Sequence, residues 1–203
     1  MGRHRTGVNK NRIESQTKST QLKKYRQGVW PNHVREIARD ILNDVTAGPH
    51  RYRYAAALCE SVYRSVDYTK TGSAVFRADV VLDRRQGDCE DQSTTLGSLL
   101  AARSFDLRFV VLQPQEATEG HVAVEVKFDT SDYLTLIEVA DNYYDRHVST
   151  LGFETEADEE GLWLHCDPTG SPVVGSINHE MCQIHGRGKI VWNDDVLTDY
   201  VYI

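Results

Sequence analysis

The apolar residues of this chain change period once, near residue 106, and that change sets the class of fold. Before it, apolar side chains recur every three to four residues. Val34, Ile37, Ala38, Ile41, Leu42 and Val45 form one helical stripe, entered at Trp30-Pro31-Asn32 and stopped by Gly48-Pro49. A second helix is expected from about Tyr52 to Val66, with Ala55, Leu58, Cys59, Val62 and Val66 on its apolar face. Tyr68 to Ser73 reads as loop, and Ala78 to Leu82 as a short apolar element. A third helix starts at Asp88, a good N-cap, and carries Leu96, Leu99 and Leu100 on a buried face. After residue 106 the pattern is that of strands. Leu107 to Leu112 is an apolar run. His121 to Phe128 alternates strictly, with Val122, Val124, Val126 and Phe128 on one face and His121, Ala123, Glu125 and Lys127 on the other. Tyr133 to Val139 is read as a further strand. Glu154 to Glu160 is read as an exposed acidic loop, and Leu162 to Cys166 as a strand ended by Asp167-Pro168-Thr169-Gly170. Lys189 to Trp192 and Val196 to Ile203 are expected as strands joined in a hairpin through Asn193-Asp194-Asp195. Helices first and an antiparallel sheet second make the class α+β.

Charge divides the 203 residues unevenly. Residues 1–26 carry eight Lys/Arg against Glu14 alone, a net +7, while the rest of the chain carries −14. The organisation expected is a flexible basic tail over 1–26 and one domain over 27–203, long enough to bury a core. A basic tail can touch nucleic acid, but the acidic body would repel phosphates, so nucleic acid is a weak candidate partner. The apolar runs are too short to span a bilayer, and the N-terminus lacks the apolar stretch of a secretory signal. The expectation is a cytoplasmic protein, with no membrane partner and with reduced thiols at Cys59, Cys89, Cys166 and Cys182.

Three residues at element ends carry the chemistry. Cys89 lies in the first turn of its helix, where the dipole favours a thiolate; its bland alternative is a small buried hydrophobe. Asp88, Glu90 and Asp91 surround it with negative charge, which opposes the thiolate. His121 begins a strand directly after Gly120, and Asp167 ends a later one. Cysteine attack needs a thiolate, a base and a group that orients the base. Alternation places Asp167 with Trp163 and His165, opposite Cys166, so neighbouring strands would bring His121 and Asp167 into one site. An oxyanion would find the backbone N–H of Cys89 and, as a second candidate, the side-chain amide of Gln86, which reads more readily as a surface loop amide. His165, Cys166, His179, Cys182 and His185 cluster in the last quarter, but without a second ligand arm they make a weak zinc signal, and no metal is expected.

Gly87-Asp88-Cys89-Glu90-Asp91, then Gly120-His121-Val122-Ala123-Val124-Glu125-Val126, then Trp163-Leu164-His165-Cys166-Asp167-Pro168-Thr169, resemble the transglutaminase-like cysteine protease superfamily. The resemblance covers about residues 50–175. It implies a papain-like α+β fold in which a nucleophile-bearing helix packs on an antiparallel sheet. It also implies Cys89 as nucleophile, His121 as general base and acid, and Asp167 as the orienting group. Relative to many members, the chain inserts Leu134 to Gly161, and Asp141 within that insertion is a reserve third residue. The function implied is attack on a peptide or carboxamide carbonyl of a protein or peptide substrate. A thioester forms and passes to water or an amine, with no metal or organic cofactor. Hydrolysis is the default, because water is always available. The alternative is a non-catalytic protein-binding module on the same fold.

Overall fold

The amphipathic stripe beginning at Val34 folds as helix α1 (Pro31–Asn43), with Val34, Ala38 and Leu42 buried one turn apart. The computed structural model describes residues 23–203 except 44, 46–49, 73, 118, 129–132, 156–160 and 178–179, so the Gly48-Pro49 stop lies outside the described residues. Helix α2 (Arg51–Ser65) is capped by His50, whose Nδ1 accepts the Tyr52 N–H at 3.3 Å. The short apolar element becomes helix α3 (Ala78–Arg84), closed by Arg85 in the left-handed region at φ 54°. Two short parallel strands, β1 (Asp67–Tyr68) and β2 (Gln86–Gly87), pin the backbone just before Cys89. Gly87 is required there, since a Cβ would lie 2.7 Å from that of Asp91.

Helix α4 (Cys89–Ala101) is the element on which the others pack. Helices α1, α2 and α3 lie against it on one side, and strands β3 (Leu107–Pro114) and β4 (His121–Phe128) on the other. It is buried from Asp91 to Leu100, polar residues included. Several of those polar groups are bonded: Ser98 Oγ donates to the Thr94 carbonyl at 2.7 Å, and Ser93 Oγ to the Val122 carbonyl of β4 at 2.8 Å, while Thr95 Oγ1 and Gln92 Oε1 meet no partner among the described residues. Gly97 allows the close approach of α4 to β3, because a Cβ would sit 2.9 Å from the Phe109 ring.

Seven strands form one sheet in the order β7-β8-β5-β6-β4-β3-β9, with β5 (Phe153–Glu154), β6 (Leu162–Cys166), β7 (Cys182–His185), β8 (Lys189–Trp192) and β9 (Val196–Tyr202). All pairings are antiparallel except the single β5–β8 bridge. The helix-facing side carries Phe109, Val122, Val124, Val126 and Leu164. The opposite side carries Val110, Leu112 and Ala123, together with a buried polar group around Arg108 and Glu125. The sheet curls so far that Trp192 of β8 and Tyr200 of β9 both donate to Glu154.

Three expectations are corrected. Tyr133 to Val139 is not a strand but part of helix α5 (Tyr133–Tyr144), because Leu136 and Ala140 bury one turn apart and packing overrides the β-branched composition. β8 and β9 form no hairpin: β8 pairs with β5 and β7, while β9 runs beside β3 at the other edge. The tail does not extend to residue 26. Residues 23–28 are helical, and Tyr25 is buried against the Phe109 ring at a centroid distance of 5.7 Å.

Candidate active site

The first turn of α4 is built by a reciprocal capping box. Asp88 Oδ1 accepts the N–H groups of Glu90 at 3.0 Å and Asp91 at 3.2 Å, and Asp91 Oδ2 accepts the Asp88 N–H at 3.4 Å. Cys89 therefore stands half-buried at the positive end of a thirteen-residue helix. Its own N–H has no acceptor among the described residues and is available to an oxyanion.

Antiparallel pairing of β4 with β6 sets Val124 opposite Cys166. The start of one strand therefore lies beside the end of the other, which brings His121 to Asp167. His121 Nε2 lies 2.8 Å from Asp167 Oδ2, and the Cys89 side chain is close enough to the imidazole to favour its charged form. Asp167 is fixed in turn by Thr169, whose N–H and Oγ1 donate to its other oxygen at 3.0 and 2.6 Å. Burial pushes His121 toward the neutral form, but the bonds to Asp167 and Cys89 outweigh it and raise its pKa to about 10. Burial likewise opposes the Asp167 carboxylate, yet the bond from His121 and the donors of Thr169 lower its pKa to about 2.

The negative charge around the thiol is tied off. Asp88 and Asp91 share the hydroxyl of Thr71, with contacts of 2.7 and 2.6 Å. Burial raises the pKa of Asp91, against the bonds it accepts from the Phe76 N–H and Thr71. Glu90 receives Lys24 Nζ at 2.5 Å and the Tyr25 hydroxyl at 3.0 Å. None of Thr71, Lys24 or Tyr25 was signalled by the sequence, because each reaches its partner from a separate segment. Thr169 did carry a signal, standing in the Asp-Pro-Thr turn.

The remaining candidates fall elsewhere. Gln86 is exposed on β2. Asp141 lies on α5, where it accepts the Val148 N–H and faces His147, and the carboxylate beside His121 is that of Asp167. Trp163 faces the opposite side of the sheet, stacked on Arg108 at 4.5 Å. Of the zinc candidates, His179 lies outside the described residues; no three metal-binding side chains converge among the described residues, and His165 and Cys166 point to opposite faces of β6. No helix among the described residues is long and apolar enough to cross a membrane.

No curated protein matches the chain. Among solved structures it is similar to a "putative protease" from Parabacteroides distasonis at 14% identity and a TM-score of 0.42, covering 52% of this chain and 23% of that one. It is also similar to a "putative cysteine protease" from Cytophaga hutchinsonii, at 15% identity and a TM-score of 0.45, covering 87% of this chain and 53% of that one. For Legionella pneumophila LapG the identity is 12% and the TM-score 0.37, with 72% and 76% covered. The chain thus spans about a quarter and about half the length of the first two. The family model of the transglutaminase-like superfamily matches residues 35–168, a stretch that takes in α4, β4 and β6 with Cys89, His121 and Asp167. With well over half of its length matched, the chain belongs to the transglutaminase-like superfamily.

Proposed function

We propose that the protein is a cysteine-dependent acyl hydrolase that cleaves peptide or carboxamide bonds of a protein or peptide substrate. The observation that carries this reading is His121 held between the Cys89 side chain and the Asp167 carboxylate. In the reaction, the Cys89 thiolate attacks the carbonyl carbon, and the oxygen takes the negative charge opposite the Cys89 N–H. The C–N bond breaks as the His121 imidazolium gives its proton to the departing nitrogen. Water, deprotonated by His121, then attacks the thioester and returns the thiol. Asp167 holds the imidazole in the tautomer that both steps need. Each step uses groups this chain supplies, and a reduced Cys89 is consistent with the cytoplasmic setting we assign.

The test is alkylation of Cys89 by iodoacetamide as a function of pH. His121 is expected to speed the alkylation near neutral pH, and His121→Ala to slow it toward the rate of a free thiol. An ordinary thiol profile, unchanged by His121→Ala, would assign the fold to a binding module instead.

A further inference from the structure

His121 separates two cavities of different character. The one on the Cys89 side, about 240 Å³, is walled by Lys24, Tyr25, Glu90 and Gln113 and carries charge. The other, about 340 Å³, touches His121 and Asp167 but not Cys89, and is walled by Thr169, Ser171, Ser176, Ile177 and Met181. It shares Ser176 and Ile177 with a third cavity of about 300 Å³, which continues the groove past Ser149, Thr150 and Ile184. Apart from His121 and Asp167, which are bonded to each other, no described residue lining these two cavities is acidic or basic.

The departing nitrogen takes its proton from His121, so the half of the substrate that leaves lies on the imidazole side. Ammonia released from a carboxamide would need no room there. Two adjoining cavities of about 340 and 300 Å³ that share Ser176 and Ile177 offer far more room than ammonia takes. We infer that the groove beyond His121 binds the leaving-group half of an extended peptide with uncharged side chains, and that Ser176, Ile177 and Met181 set this preference. This rests on the thiol acyl-transfer reading and narrows it to peptide cleavage.

Partitioning of the acyl-enzyme tests the assignment, because an amine that attacks the thioester enters by the route the leaving group takes. In that step the C–S bond breaks, the C–N bond forms, and the proton of the amine passes to His121. The probe acylates Cys89 with N-acetylglycine p-nitrophenyl ester in the presence of leucyl-, aspartyl- or lysyl-glycinamide. The ratio of peptide product to free N-acetylglycine is then read, a ratio in which losses of acylation or folding cancel. Leucyl-glycinamide is expected to capture the acyl group roughly tenfold better than the two charged amines. Met181→Asp, and independently Ser176→Asp, should raise lysyl-glycinamide by roughly tenfold relative to leucyl-glycinamide. Equal capture of the three amines, or a preference untouched by both variants, would overturn the groove assignment while leaving the thiol chemistry standing. No ester turnover together with an ordinary thiol profile at Cys89 would bring down the acyl-transfer reading, and the groove assignment with it.

Discussion

His121 titrates between two acceptors, and the sign of its shift sets the pH range of the chemistry. In the proposed reaction its proton releases the leaving nitrogen, so activity should hold as pH rises until His121 deprotonates near 10, where an unpaired imidazole would fail near 6.5. Asp167→Asn removes the negative charge 2.8 Å from His121 and should bring the alkaline limb of kcat/KM down toward the ordinary imidazole range. It should lower the plateau by about 10²-fold or more, measured with the ester probe across pH. The same pair bears on stability. The Asp167 contribution is present above its unfolded pKa near 3.8 and lost as pH falls toward 2, while that of His121 is present below 6.5 and lost as pH rises through 10. These three residues were legible in the sequence because each sits where a periodic element begins or ends. The neutralising partners were not. Lys24 and Tyr25 meet Glu90 across 66 and 65 positions, and nothing local marks such a contact.

At the scale of elements, α4 was read correctly from its N-cap and its leucines, but its burial on every side was not. Six of its buried residues are Asp, Gln, Ser or Thr, and a polar residue reads as exposed until its backbone acceptors are known. Helix α5 was misread for a related reason. Thr135, Ile137 and Val139 favour a strand locally, whereas burial of Leu136 and Ala140 against the helical layer decides for a helix. The α4–β3 contact makes a prediction. Gly97→Ala should gain up to about 1 kcal/mol in helix propensity. The new methyl, however, would press on the Phe109 ring at 2.9 Å, in a helix fixed to β4 through Ser93. Overpacking of that kind costs about 1–3 kcal/mol. A net loss of about 1 kcal/mol or more in denaturant unfolding is expected, where an exposed helical glycine would show a gain.

Over the whole molecule, β3, β4, β6, β8 and β9 could be read from their own residues, whereas the short β1, β2, β5 and β7 and the order of the strands could not. The chain leaves β8 near one edge and enters β9 at the other, a step that becomes short only once the sheet has curled. What occupies the inside of that curl is a charge. Arg108, 2% exposed, donates to Glu125 and Glu154 at 2.7 Å each and lies against the rings of Trp163 and Tyr200 at 4.5 and 4.1 Å. Burial and the charge of Glu125 raise the pKa of Glu154, while Tyr200, Arg108 and Trp192 act against the rise. The three charges come from β3, β4 and β5, so the network ties the segment that inserts β5 to β3 and to β4, the strand that begins with His121. Removing one member strands the others in a medium that solvates them poorly. Arg108→Met should therefore cost about 3–5 kcal/mol in equilibrium unfolding. The triple variant Arg108→Met, Glu125→Leu, Glu154→Leu removes every charge together and should recover to within about 1–2 kcal/mol of the parent. If the triple variant is as unstable as the single one, the loss comes from the packing of the arginine between its rings and not from unpaired charge. If Arg108→Met alone is near neutral, Glu125 and Glu154 hold their place without the guanidinium, and β5 is fixed by its strand pairing alone.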